Sequence, residues 1–133
     1  MRKVVAVVGL FVKNNCILTE HRPLTEEHVQ DKTCFPAGTS YQNESLEKTL
    51  RREMKEELNL TVLQAKPFAR WLFKKKPNKV MLYYFLIERW RGKIKVGSGV
   101  GKLKWLKFKE IKELHYARDR SIAKKAIKAK KIQ

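Results

Sequence analysis

Positions 4–12 of the chain, Val-Val-Ala-Val-Val-Gly-Leu-Phe-Val, are apolar almost throughout instead of alternating, which is the pattern of a strand buried on both faces. Asn14-Asn15 then supplies a hairpin-type turn into a second strand, Ile17 to His21. The polar stretch Pro23 to Lys32 reads as a surface loop, and Thr33-Cys34-Phe35 as a short extended piece stopped by Pro36. Helical spacing takes over at Ser45 to Leu58. Leu46, Leu50, Met54 and Leu58 form a stripe with a period of four, Ser45 stands where a cap is needed, and Asn59 ends the helix. Two runs rich in aromatic and β-branched residues, Phe68 to Phe73 and Val80 to Trp90, flank a polar hairpin connection at Lys74 to Lys79. Further strands are expected at Lys93 to Val96 and Leu103 to Phe108. A final helix at Arg118 to Lys131 has a narrow apolar face, with Ile122, Ala126 and Lys130 on one side and Ala123, Ile127 and Ala129 nearby. Strands with one internal and one C-terminal helix predict an α+β fold, an α/β/α sandwich in which a mixed sheet is flanked by helices.

At 133 residues the chain is expected to form one domain, with no repeat or linker. Arg2-Lys3 followed by the apolar run imitates a signal peptide, but no small-residue cleavage site follows. No apolar stretch approaches the roughly 20 residues of a membrane helix. The two cysteines, Cys16 and Cys34, lack metal-type spacing. The expectation is a soluble, reduced, cytoplasmic protein with no membrane partner. Its 31 Lys and Arg against 13 Asp and Glu, a formal net charge of +18, favour a polyanionic partner: a nucleotide, a nucleic acid or an acidic membrane surface. A solvated surface that reflects genome composition or a hot habitat accounts for the same charge, so the excess does not choose among them.

Against that background the helix is unusual, because Glu53, Glu56 and Glu57 fall within five residues. Offsets of three and four bring them into an arc of about 100° beside the apolar stripe, with Lys48, Arg51, Arg52 and Lys55 on the opposite, outward side. Carboxylates at the margin of a buried face repel one another unless something neutralises them, and a hard divalent cation does so. The helix alone also fits an ordinary charged surface in which Arg52 pairs with Glu56 and Lys48 with Glu44, each pair worth tenths of a kcal/mol.

The preceding loop changes the balance. Gly38, Glu44, Arg52, Glu53, Met54, Glu56, Glu57 and Leu60 fall in register with the Nudix box, G-x5-E-x7-R-E-U-x-E-E-x-G-U, in which U is aliphatic. The chain therefore resembles the Nudix family, and the likeness extends from the opening strand pair through Phe35-Pro36-Ala37-Gly38 to the Leu103 to Leu106 strand. Asn59 stands where the box has a helix-ending Gly, a mild departure because Asn tolerates the left-handed conformation best after Gly. The resemblance implies a Nudix fold and a Mg2+-dependent hydrolase, with Mn2+ as an alternative, that cleaves a diphosphate linkage in a nucleoside diphosphate derivative. It implies Glu53, Glu56, Glu57 and the Ala37 carbonyl as metal ligands and Arg52 as the residue that orients a ligand carboxylate, with Glu53 or Glu56 the fallback for the base. Gly38 and Glu44 would shape the loop, Glu44 also reaching metal through water. Many members carry a further Glu in the loop before the last strand. No acidic residue occurs here between Glu88 and Glu110, which leaves the base open.

A short chain without added segments resembles the MutT-type branch, which converts a nucleoside triphosphate to the monophosphate and pyrophosphate. Phosphate-gripping candidates are Arg22, Lys74, Lys79 and Lys102. Asp119 is the candidate for hydrogen-bonding a purine edge, and Phe35, Trp71, Phe73 or Tyr83 for stacking, although each aromatic also suits core packing. Hydrolysis of ADP-ribose or dinucleoside polyphosphates is an alternative. So is processing of RNA 5′ ends, or nucleic-acid binding, through Lys74-Lys75-Lys76 and the Lys-rich tail Lys124-Lys125, Lys128 and Lys130-Lys131.

Overall fold

The structure is a computed structural model that describes residues 2–22, 32–97 and 101–132. Its elements are β1 (Arg2–Lys13), β2 (Cys16–Arg22), β3 (Lys32–Cys34), β4 (Ala37–Thr39), α1 (Leu46–Leu58), β5 (Thr61–Lys75), β6 (Asn78–Arg91), β7 (Lys102–Lys107), a 3-10 turn at Phe108–Glu113, and α2 (Ala117–Ile132). The loop expected at Pro23 to Lys32 lies, apart from Lys32, outside the described residues.

The sheet is mixed. β1 runs parallel to β6 from Arg2 opposite Asn78 to Phe11 opposite Ile87, and its other edge takes β4 antiparallel, Ala6 opposite Thr39. Past that point it turns through Asn14-Asn15, both at positive φ, into β2, which pairs with β3 and β7. Paired φ of +50° and +66° are what a tight two-residue hairpin requires, and Asn tolerates them.

The apolar run of β1 is two faces interleaved, not one. Val8, Leu10 and Val12 join a cluster with Tyr84, Leu86, Ile122, Ala123, Ala126 and Ile127, so this face lies under α2. Val7 and Phe11 face the other way, into a cluster with Leu18, Phe85, Ile87 and the Leu50, Met54 and Leu58 stripe of α1. The helices therefore cover opposite faces, as the α/β/α expectation has it. Complete burial of Leu50, Met54 and Leu58 contributes roughly 1.5–3 kcal/mol each before entropy is counted. Gly9 permits the close approach, since a Cβ there would stand 2.8 Å from the Met54 sulfur.

Both ends of α1 are built locally. The Ser45 hydroxyl accepts the Lys48 N–H at 3.1 Å, and Asn59 turns left-handed at φ +60° while its N–H reaches the Lys55 carbonyl. Asn59→Val should cost roughly 1–2 kcal/mol in urea denaturation, because a β-branched residue resists that conformation. Asn59→Gly should stay within about 0.5 kcal/mol of the parent.

Three expectations are corrected. Lys93 to Val96 is not a strand: it crosses the C-terminal end of α1, where the Lys95 and Gly97 N–H groups bond the carbonyls of Leu58 and Glu57. Those carbonyls are left over at the helix end and accept what a sheet partner would otherwise take. Residues 37–39, expected as loop, form β4. Arg52, expected on the outward side of α1, is turned inward with its side chain 18% exposed.

Candidate active site

Arg52 organises the corner where β4 meets α1. Its Nε and one terminal nitrogen hold both oxygens of Glu44, at 2.8 and 2.9 Å. The other terminal nitrogen reaches Glu53 at 2.8 Å and Glu56 at 3.3 Å, while the one that binds Glu44 also donates to the Thr39 carbonyl at 3.0 Å. The guanidinium thus spends its planar fork on three carboxylates and one carbonyl, while the Tyr41 ring stacks on it at 3.8 Å. Glu44 also accepts the Thr49 hydroxyl and the Tyr41 N–H, and these bonds, led by Arg52, hold its carboxyl down to about 2. The sequence-predicted pairing of Lys48 with Glu44 is replaced by this bidentate one.

Gly38 is where the loop touches the helix. A Cβ at that position would lie 2.0 Å from the Glu53 carboxyl carbon, so only glycine lets the β4 backbone lie against that side chain. The β1–β4 ladder bonds residues 36 and 40 to β1, and its two-residue period turns the carbonyls of Ala37 and Thr39 to the opposite edge. Thr39 gives its carbonyl to Arg52, and Ala37 offers the next one along the same edge.

Glu57 differs from its neighbours. Its Oε2 is buried without a hydrogen-bond partner, and burial, reinforced by repulsion from Glu20, Glu53 and Glu56 against an opposing pull from Arg22, pushes its carboxyl up to about 8. Glu56, by contrast, is 57% exposed. Glu20 is a participant that the sequence reading missed. It is fully buried on β2, its Oε1 accepts Arg22 Nε at 2.6 Å, and its Oε2 has no partner. The signal was available: in Ile17-Leu18-Thr19-Glu20 the period of two puts Glu20 on the same face as core-facing Leu18.

Among the described residues, no three His, Cys, Asp or Glu side chains stand at closed metal-ligand spacing. Glu53 is tied to Arg52, so the acids line one face without meeting at a point. The donor set nevertheless fits a hard divalent cation: carboxylate oxygens, an edge carbonyl, and two buried carboxyl oxygens without donors.

Arg22 links this face to a cavity of about 140 Å³ whose walls include Phe35, Phe73, Tyr84, Arg118 and Asp119. Asp119, 4% exposed in the first turn of α2, accepts the Tyr84 hydroxyl at 2.6 Å, and burial raises its carboxyl. Phe35 packs edge-on to Tyr84 in the core as well as lining the cavity. Lys79 stays on the surface, in register with Lys3 and Lys74, and lines neither this cavity nor a wider groove of about 650 Å³ beside residues 39–44. That groove contains Glu44 but none of Glu53, Glu56 and Glu57, so the chemistry lies elsewhere. Trp71 is exposed on β5, Tyr83 lines the wider groove, and Lys74 and Lys102 are exposed at strand ends. Of the tail lysines, Lys130 bonds the Glu88 carbonyl, whereas Lys124, Lys125 and Lys128 face outward.

The NUDIX domain pattern matches residues 1–127. The 8-oxo-dGTP diphosphatase of Buchnera aphidicola subsp. Schizaphis graminum is 34% identical over 113 residues, covering 83% of this chain and 82% of that one. That of Escherichia coli is 27% identical over 92 residues, 69% and 71% of the two chains. Among solved structures, the E. coli ORF135 protein superposes with a TM-score of 0.80 at 21% identity, covering 98% of this chain and 94% of that one. The MutT protein of Methanosarcina mazei gives 0.81 at 20% identity, covering 98% and 96%. No helix among the described residues is long and apolar enough to cross a membrane.

Proposed function

The chain belongs to the NUDIX family and is a hydrolase acting on diphosphate bonds, and from that premise we propose that it converts an oxidised purine nucleoside triphosphate, 8-oxo-dGTP first among them, to the monophosphate and pyrophosphate in the cytoplasm. Mg2+, or Mn2+ in its place, would be held by Glu53, Glu56, Glu57 and the Ala37 carbonyl. Bound there, the cation supplies charge neutralisation of the diphosphate and acidification of a water. The observation that carries this reading is Glu57, a half-buried carboxyl whose Oε2 is itself buried and lacks a donor among three further acids.

The remaining roles belong to the chain itself. Arg52 fixes Glu44, Glu53 and Glu56 relative to one another, which pre-orients the face before substrate arrives. Glu53 or Glu56 accepts the proton of the attacking water. Glu53 Oε1 is anchored by Arg52 and its carboxyl is pressed on Gly38, leaving one oriented oxygen for either the cation or that proton. Arg22 stands between the acids and the cavity, where a phosphate or base edge would meet its exposed part. Asp119, held protonated more readily by burial, can donate to or accept from a purine edge, with Phe35 as wall rather than stacking platform.

The test is a screen of 8-oxo-dGTP, dGTP, CTP, ADP-ribose and 5′-triphosphorylated RNA with Mg2+ or Mn2+, products identified by mass. We expect pyrophosphate and 8-oxo-dGMP, with kcat/KM for 8-oxo-dGTP about tenfold or more above that for dGTP. Asp119→Ala should reduce that ratio roughly 10–100-fold through an unpaired base edge. Faster turnover of ADP-ribose or RNA would reassign the substrate.

A further inference from the structure

Period two along β2 puts Glu20 on the same face as Leu18, whose side chain packs with Leu50, Met54 and Leu58 of α1. Across the ladder Glu20 pairs with Leu103 of β7, which packs against that same cluster. The carboxylate therefore faces α1, and its charge is felt at Glu57 of that helix. It is fully buried, and a buried carboxylate ordinarily has every oxygen satisfied. Here Arg22 takes only Oε1, while Oε2 of Glu20 and Oε2 of Glu57 are both buried without donors. Arg22 is 35% exposed, so water screens part of its charge, and one guanidinium does not satisfy both acids. A small hard cation is a partner that would meet both oxygens at once and offset the repulsion between the two acids.

Building on the metal reading above, we propose that Glu20 is a ligand to the divalent-cation site, supplying Oε2 from β2 while Arg22 fixes Oε1. The strand then contributes to a site that would otherwise come from the helix and loop alone. Arg22 acquires a definite place beside the cation, where it can meet the phosphates.

Binding of Mn2+ alone to the full chain, counted by electron paramagnetic resonance, tests this without turnover. Glu20→Gln, which keeps the shape, should weaken Mn2+ binding about tenfold or more without lowering the melting temperature in EDTA. Glu57→Gln serves as the reference. If Glu57→Gln weakens binding and Glu20→Gln does not, the role of Glu20 is overturned and the helix site stands. If neither weakens it, the metal assignment falls and this inference with it. Should Glu20→Gln fail to fold, the wild-type protein labelled with 13C at Glu Cδ decides. The Glu20 signal should broaden beyond detection together with that of Glu57 at stoichiometric Mn2+, and its survival would refute the proposal.

Discussion

Glu57→Gln should lower kcat roughly 10²–10³-fold and, in the same protein, raise the stability of the metal-free state above pH 8. The two effects have one cause. In the fold the Glu57 carboxyl titrates near 8 instead of 4.5, because burial disfavours its charged form and Glu20, Glu53 and Glu56 add repulsion that Arg22 only partly offsets. A group whose folded value is raised contributes its stability in full below the unfolded value and loses it as pH climbs through the folded one. The wild type in EDTA should therefore weaken more steeply from about pH 4.5 to 8 than the variant, whose Gln has no proton to lose. At about 1.4 kcal/mol per tenfold change in proton affinity, and discounting for partial screening, the variant should be more stable by roughly 2–4 kcal/mol at pH 9. Glu20, also raised chiefly by burial, adds a slope of the same sign in both proteins. Glu44 works oppositely: held down to about 2, it gives stability that disappears as pH falls from 4.5 towards 2. Urea unfolding across pH separates these limbs. Parallel alkaline slopes in wild type and Glu57→Gln would dispose of the assignment. Added Mg2+ should stabilise the wild type more than the variant, since a ligand that binds only the folded state shifts the balance by mass action.

Much of this was legible in the chain because it is carried by local rules. The four-residue stripe of α1, its Ser45 cap and its Asn59 stop each depend on neighbours a few positions away, and the structure has them as read. The two-faced burial of β1 followed from the lack of alternation. What escaped depended on contacts distant in sequence. Lys93 to Val96 has strand-like composition, yet carbonyls left over at the end of α1 recruit the N–H groups of Lys95 and the adjoining Gly97. A helical wheel places Arg52 outward, but its long side chain bends back to Glu44 and Thr39, eight and thirteen positions away. Glu20 lies on β2, outside the motif, and is joined to it only by the packing of that strand against α1. A charged residue at a core-facing strand position was a warning of the same kind.

Arg52→Lys should retain the charge and still cost roughly 10²-fold in kcat and about 2–3 kcal/mol in stability. The guanidinium makes two bonds to Glu44, one each to Glu53 and Glu56, and one to the Thr39 carbonyl, all in a fixed plane beneath the Tyr41 ring. An ammonium has three donors on a flexible stem and no face to stack, so it can keep the Glu44 contact or the Glu53 contact but not the whole set. Freed from Arg52, Glu53 would leave its seat on Gly38, and the loss should appear in kcat more than in KM because the displaced carboxylate acts at the reacting end of the substrate. Glu44 should titrate closer to its ordinary value, moving the acid limb of the stability profile upward in pH. A double-mutant cycle with Glu44→Gln distinguishes the two halves of the role. The stability losses should be strongly non-additive, since both changes break the same bidentate pair, while the kcat loss in Arg52→Lys should persist in the double mutant because it runs through Glu53. If Glu44→Gln alone reproduces the full kcat loss, Arg52 serves only to brace the loop, and its part in aligning Glu53 is refuted.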